Sequence, residues 1–172
     1  MLRPFEDSDL DAYAEIVMSV EVRRALHARR LCPLRCLAGD GTLARPVGAQ
    51  GTGHWAVVEI ETGLLVGRAG LNLPESPGWP GIEIGWTFHP RHWGRGFSTE
   101  AGARSIVYSF DDIGADQVCS LILPENGRSA AVATRLGFTR AESLVLSHFT
   151  AMPHDVWRLT GGNGSHALPA DL

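Results

Sequence analysis

Arg91, Gly94, Arg95 and Gly96 fall within one short run of the chain, and their types suit the grip of an anion. Glycine has no Cβ and tolerates φ > 0, so a chain carrying it can fold closely around a charged group. Arginine adds charge-assisted donors. The apolar positions Ala103, Ile106, Val107, Phe110 and Ile113 recur at three- and four-residue steps directly afterwards, predicting an amphipathic helix over 97–112. The first turn of such a helix carries backbone N–H groups without partners and a partial positive charge. A phosphate or pyrophosphate is the predicted ligand. Upstream, Glu83 is a lone carboxylate in the apolar run 82–88 (IEIGWTF). Desolvation there would favour the neutral acid and raise its pKa towards a value useful for proton transfer. A structural turn at the glycines, and a Glu83 that is paired or turned to solvent at an edge, are the plain alternatives.

The two usual nucleotide loops do not fit. Thr99 stands where a dinucleotide fingerprint needs its third glycine, and the chain has no Gly-Lys-Ser/Thr. The pattern Arg91-x-x-Gly94-x-Gly96 instead resembles motif A of the GNAT (Gcn5-related) N-acetyltransferases. The longer string HPRHWGRGFSTEA, residues 89–101, resembles the RimJ/RimL-type branch, as does the opening LRPFxxxDL. A second stretch, Pro124-Glu125-Asn126-x-x-Ser129 closing in Arg135-Leu136-Gly137-Phe138, resembles the family's motif B.

That resemblance implies acetyl-CoA as co-substrate, an amine as acceptor and no metal. It implies a mixed α/β fold with a central, mostly antiparallel sheet, helices on both faces, and a parallel pair of strands, 82–88 and 117–123, that splay apart. The pantetheine arm would pair with the amides of Thr87, Phe88 and His89. The diphosphate would sit on the amides of Arg91, His92, Trp93, Gly94, Arg95, Gly96, Phe97 and Ser98. Glu83 would deprotonate the amine, directly or through a water. Backbone N–H groups near Thr87 or Phe88 would stabilise the oxyanion. Ser129 would donate to the thioester sulfur, because the tyrosine of many relatives is replaced here by Ala133. Asn126 would hold the pantetheine amide or order a water, a role compatible with capping its own helix.

The elements needed to position these residues can be read from the same pattern. A short strand near Leu2 runs into a helix capped at Ser8 or Asp9, with Ala12, Ile16, Val17 and Val20 as its stripe. A second helical stretch spans 21–28. Residues 38–53 are glycine-rich without period and predict a loop. Strands are expected over 55–60 and 64–71, with Gly67 and Gly70 marking a bulge or close backbone approach. Residues 72–80 hold three prolines and predict a loop. Strands at 82–88 and 117–123, a helix from Asn126 to the stop at Gly137, and strands at 141–146 and 155–159 complete the chain. The order is β–α–α–β–β–β–α–β–α–β–β in one domain over 1–160, with a frayed tail over 161–172.

Composition sets the outer limits. The chain has 172 residues, 44% hydrophobic and 20% charged, as expected of one globular domain. The net charge of −4 argues against a general nucleic-acid surface, and Arg23, Arg24, Arg29 and Arg30 read as a solvated helix face. No apolar run approaches a membrane span and no secretory signal is visible, so a cytoplasmic monomer or homodimer is expected. Three cysteines suit a reducing compartment; Cys32 and Cys36 lack the partners of a zinc site. Cys119 lies mid-strand among apolar neighbours, against a covalent mechanism. His89, His92, His148 and His154 are further candidate bases, with none singled out. The function expected is acetyl transfer to a protein N-terminus or a small amine. An aminoglycoside-type acetyltransferase and a non-catalytic acyl-CoA-binding sensor are the alternatives.

Overall fold

The computed structural model of the protein describes residues 1–26, 53–73, 78–145 and 152–161. The loop expected over 38–53 (all but Gly53), His27, Arg29, Arg30, Cys32, Cys36, His148 and the tail from 162 lie outside the described residues. The elements are β1 (Leu2–Arg3), α1 (Leu10–Met18), α2 (Val20–Ala25), β2 (His54–Val58), β3 (Leu65–Asn72), β4 (Ile82–Phe88), α3 (Phe97–Val107), β5 (Gln117–Ile122), α4 (Gly127–Arg135), β6 (Thr139–Val145) and β7 (Pro153–Thr160). Among the described residues this is the expected order. The sheet runs β1-β2-β3-β4-β5-β7-β6. β1–β2, β2–β3, β5–β7 and β6–β7 are antiparallel, and β4–β5 is parallel. No helix among the described residues is long and apolar enough to cross a membrane.

The chain divides into two compact units, Met1–Gly70 with Trp86–Ala101 and Leu71–Gly85 with Gly102–Leu172. In the first unit, Tyr13, Ile16 and Val17 recur at helical spacing on α1 and are buried together against Phe5 and Leu65. Each such side chain contributes on the order of 2 kcal/mol on burial. Asp9 does not cap α1 with its side chain. Its carboxylate instead takes two bonds from Arg3, at 2.6 and 2.7 Å, and one from the Glu6 amide at 2.8 Å. A second cluster joins Val57, Val66, Ala69 and Phe88 to Ala101 of α3, with Leu2, Trp86, Trp93 and Phe97 around it. The β2–β3 ladder shifts register between Val57 and Val58, the expected bulge. Gly67 is a true close approach, because a Cβ there would strike the Thr87 carbonyl oxygen and the Phe88 ring.

In the second unit, β5 pairs with β7 over six residues, and β7 pairs with β6. Val118, Ile122 and Val156 are buried there, as are Ala103 and Ile106 of α3. The α-helical geometry of α3 ends at Val107 rather than continuing to Asp112. A π-turn, Tyr108–Asp112, follows. The buried Ser109 hydroxyl donates to the Ser105 carbonyl at 2.7 Å, and the Ile113 amide reaches five residues back to Tyr108, widening the last turn. α4 stops as expected. Gly137 sits at φ +88, its amide donates to Thr134, and the Phe138 amide donates to Ala133 at 3.0 Å, the paired bonds of a Schellman ending.

Candidate active site

β4 stops because Pro90 follows His89 and cannot donate to a ladder. Pro90–His92 then forms one 3-10 turn, with the His89 ring accepting from the Arg91 amide at 3.1 Å. The His92 amide donates to the His89 carbonyl at 2.9 Å and the Trp93 amide to Pro90 at 3.2 Å. The Trp93 indole folds back and donates to the Phe88 carbonyl at 2.8 Å, tying the loop to the strand end.

After this anchor the chain opens. Gly94 and Gly96 take φ +78 and +86, and a Cβ on either would meet nothing within 4 Å. The Gly96 carbonyl receives the Thr99 and Glu100 amides at 2.9 and 3.0 Å and so starts α3. The amides of Gly94, Arg95, Gly96, Phe97 and Ser98 have no partner among the described residues. Five donors at a helix start, beside two residues in the left-handed region and open space, form a nest for an anion. The expected seat over 91–98 is therefore narrower, since the Arg91, His92 and Trp93 amides are already used.

The arginines divide. The Arg91 guanidinium is exposed with no partner among the described residues. Arg95 departs from expectation: its guanidinium pairs with Glu59, lies 3.1 Å from the His92 ring and sits 5.0 Å over Phe97. The cause is Glu59, 6% exposed at the end of β2, which also accepts from Thr62 at 2.7 Å. Thr62, burial and Arg95 act on Glu59 in that order, and its pKa is lowered. Burial and then Arg95 lower the pKa of His92, against a role for it as a base that holds a proton near neutrality.

Backbone direction on β4 corrects a further expectation. The His89 amide donates to Val66 of β3 at 2.9 Å, and the Thr87 carbonyl faces Gly67. Peptide groups alternate edges along a strand, so Thr87 and His89 point to β3 while Phe88 points away from it. Of the three amides expected to meet pantetheine, Phe88 alone is on the far edge.

The remaining expected residues lie in the second unit. The β4–β5 ladder consists of Ile82↔Val118 and Glu83↔Cys119. Glu83 is half-buried and accepts from the Asn72 carboxamide at 3.1 Å. Burial, and then the charge of Glu83, push the Cys119 thiol up to about 12, which removes it as a nucleophile. Asn126 caps α4, its side-chain oxygen accepting from the Ser129 amide at 3.1 Å. The half-buried Ser129 hydroxyl has no partner among the described residues, and Ala133 behind it is fully buried. Asn72 and Glu59 are the contacts that the sequence pattern missed. Asn72 opens a proline-containing stretch and reads as loop, and nothing local marks Glu59 as a partner for Arg95.

Comparison with known proteins agrees with this strand, loop and helix. Residues 1–139 match the family described as Acetyltransferase (GNAT) domain. YkkB of Bacillus subtilis (strain 168), an uncharacterized protein, is 29% identical over 94 residues, 55% of this chain and 55% of its own length. The chain spans about half the length of the curated relatives it matches. The crystal structure of the acetyltransferase from Agrobacterium tumefaciens str. C58 superposes with a TM-score of 0.76 at 28% identity, over 93% of this chain and 90% of that one. Aminoglycoside acetyltransferase AAC(6')-Ib, solved in complex with coenzyme A, gives a TM-score of 0.71 at 18% identity over 93% and 94%, a likeness of fold alone. On the match over residues 1–139, the chain belongs to the GNAT acetyltransferase family.

Proposed function

We propose that the protein transfers an acetyl group from acetyl-CoA to a primary amine by direct attack. The observation that carries this reading is the set of amides from Gly94 to Ser98, without partners among the described residues, around two left-handed glycines. They offer a diphosphate five donors, with Arg91 as the nearby free cation.

The amine must lose a proton before it attacks the thioester carbonyl, and Glu83 is the group for that step. Its carboxylate accepts a hydrogen bond from Asn72, which holds it in place to take the proton, directly or through water. The carbonyl oxygen gains charge as the C–N bond forms, and the Phe88 amide is the donor for it. Collapse breaks the C–S bond, and the Ser129 hydroxyl hydrogen-bonds the departing thiolate. Asn126 orients the pantetheine while its side-chain oxygen holds the helix start. The acceptor we favour is a protein N-terminal α-amine, on the RimJ/RimL-type string at 89–101. An aminoglycoside-type small-molecule amine is the second reading, in keeping with the fold shared with the aminoglycoside enzyme.

The test is a screen of acceptors, Ser- and Ala-initiated peptides against aminoglycosides, with thiol release as the readout. Calorimetry with coenzyme A runs beside it. Turnover on peptides with binding abolished by Gly96→Val is the expected result. Binding without turnover on any amine would assign the chain as a sensor, and undiminished binding by Gly96→Val would refute the seat.

A further inference from the structure

Two polar side chains on β2 and β3 carry buried nitrogens with no hydrogen-bond partner among the described residues. Arg68 is 5% and His54 1% exposed. The Arg68 Nε and Nη1 atoms and both His54 ring nitrogens are buried without a hydrogen-bond partner, and neither residue forms an ion pair among the described residues. The register places them together: Ala56 opposes Arg68 and His54 opposes Gly70, so His54 and Arg68 are diagonal neighbours on one face. Val57 and Ala69, on the opposite face, pack with Ala101 of α3. A buried guanidinium with two of its nitrogens idle is costly unless an anion meets it, and a buried polar group without a partner calls for a water or an ion to meet it.

We propose that Arg68 and His54 form a seat for a carboxylate on the sheet face turned away from α3. The chemistry fits one anionic group. Arg68 supplies charge and planar donors that match a carboxylate. His54 is neutral, its pKa held well below the ordinary value by burial and then by Arg68, so it adds one N–H donor without a second charge. In a site closed to bulk water the pairing is strengthened. The same chemistry admits two sources, a free small carboxylate or a carboxylate carried by the amine acceptor. Only the second rests on the acetyl-transfer reading.

Thermal unfolding of the full chain with sodium acetate and sodium succinate, at constant ionic strength in a carboxylate-free buffer, tests the free source. The melting temperature of the wild type is expected to rise with concentration. Arg68→Met is expected to start no lower than wild type, because it removes an uncompensated charge, and to show no rise. Arg68→Lys, which keeps charge but loses the planar fork, shows a weakened response and replaces Arg68→Met should that variant fail to fold. The acceptor source is tested by kcat/KM for matched amines with and without a carboxylate. There the wild type is expected to favour the carboxylate by about tenfold or more, and Arg68→Met to erase the preference. A response in either arm that depends on Arg68 supports the seat. Responses identical in wild type and variants, or none in both arms, overturn it. The melting arm needs no turnover, so failure of the acetyl-transfer reading leaves it intact.

Discussion

A base is useful only if its carboxylate is held in place and is short of water, and Glu83 meets both conditions in part. It is half-buried, and Asn72 holds one oxygen. Glu83→Gln keeps the shape and the bond from Asn72 but cannot take a proton. The expected outcome is a fall in kcat/KM of about 100-fold or more with coenzyme A affinity unchanged by calorimetry; equal activity would remove Glu83 from the mechanism. Cys119, its ladder partner, is expected to resist a thiol reagent in the folded protein and to react after denaturation, since its thiol is held at about 12. Peptide mapping by mass would check this. Glu83 was legible because a lone acid interrupts an apolar run. The fate of Arg95 was not, because Glu59, which claims its guanidinium, lies 36 residues away, and no local pattern encodes that pairing.

At the scale of elements, α4 carries two functions at one residue. Asn126 caps the helix through its side-chain oxygen, and the proposed mechanism also gives it the pantetheine. The two separate by substitution. Asp caps as well as Asn, so Asn126→Asp is expected to hold stability while weakening coenzyme A binding through its charge and lost NH2 donors. Asn126→Ala should weaken both, with about 1 kcal/mol lost in urea unfolding. Equal coenzyme A affinity across wild type, Asp and Ala would leave the residue a cap and nothing more. Element order and both ends of α4 were legible from periodicity, the Asn126 cap and Gly137. The edge to which each β4 amide points was not. A period of two assigns side chains to faces, whereas the hydrogen-bonding edge depends on the register with β3, which the bond from His89 to Val66 fixes. The π-turn at Tyr108–Asp112 was hidden for a related reason, because apolar spacing does not distinguish a widened last turn from an α-helical one.

Across the whole molecule, proton uptake links the buried charges to stability, and it does so in two ranges of pH. Arg3, foremost among its causes, lowers the pKa of Asp9. Burial opposes the lowering at Asp155, but Ser143 and Arg140 together prevail. A carboxylate whose folded pKa is depressed contributes stability above its unfolded value near 4, and that contribution disappears as pH falls further. Asp9→Asn is expected to cost about 2 kcal/mol at pH 7, discounted because Arg3 is partly solvated, and to flatten the decline below pH 4. His54 acts earlier. Its folded pKa is lowered, so the unfolded chain gains a proton near pH 6.5 that the folded chain refuses. Stability from this residue is therefore complete above about 6.5 and drains as pH drops towards the folded value. His92 adds to the same slope with a smaller burial cause. Urea unfolding at steps from pH 7.5 to 3, in buffers free of carboxylate, is expected to show a decline that begins near 6.5 and steepens below 4. His54→Leu removes the titrating ring and its two orphaned nitrogens, so the upper part of the decline should shrink while the lower part stays. A profile flat from 7.5 to 4.5 in the wild type, or an upper slope untouched by His54→Leu, would mean that the imidazole finds water or a partner in the folded protein, and the idle donors around Arg68 would then need the same explanation.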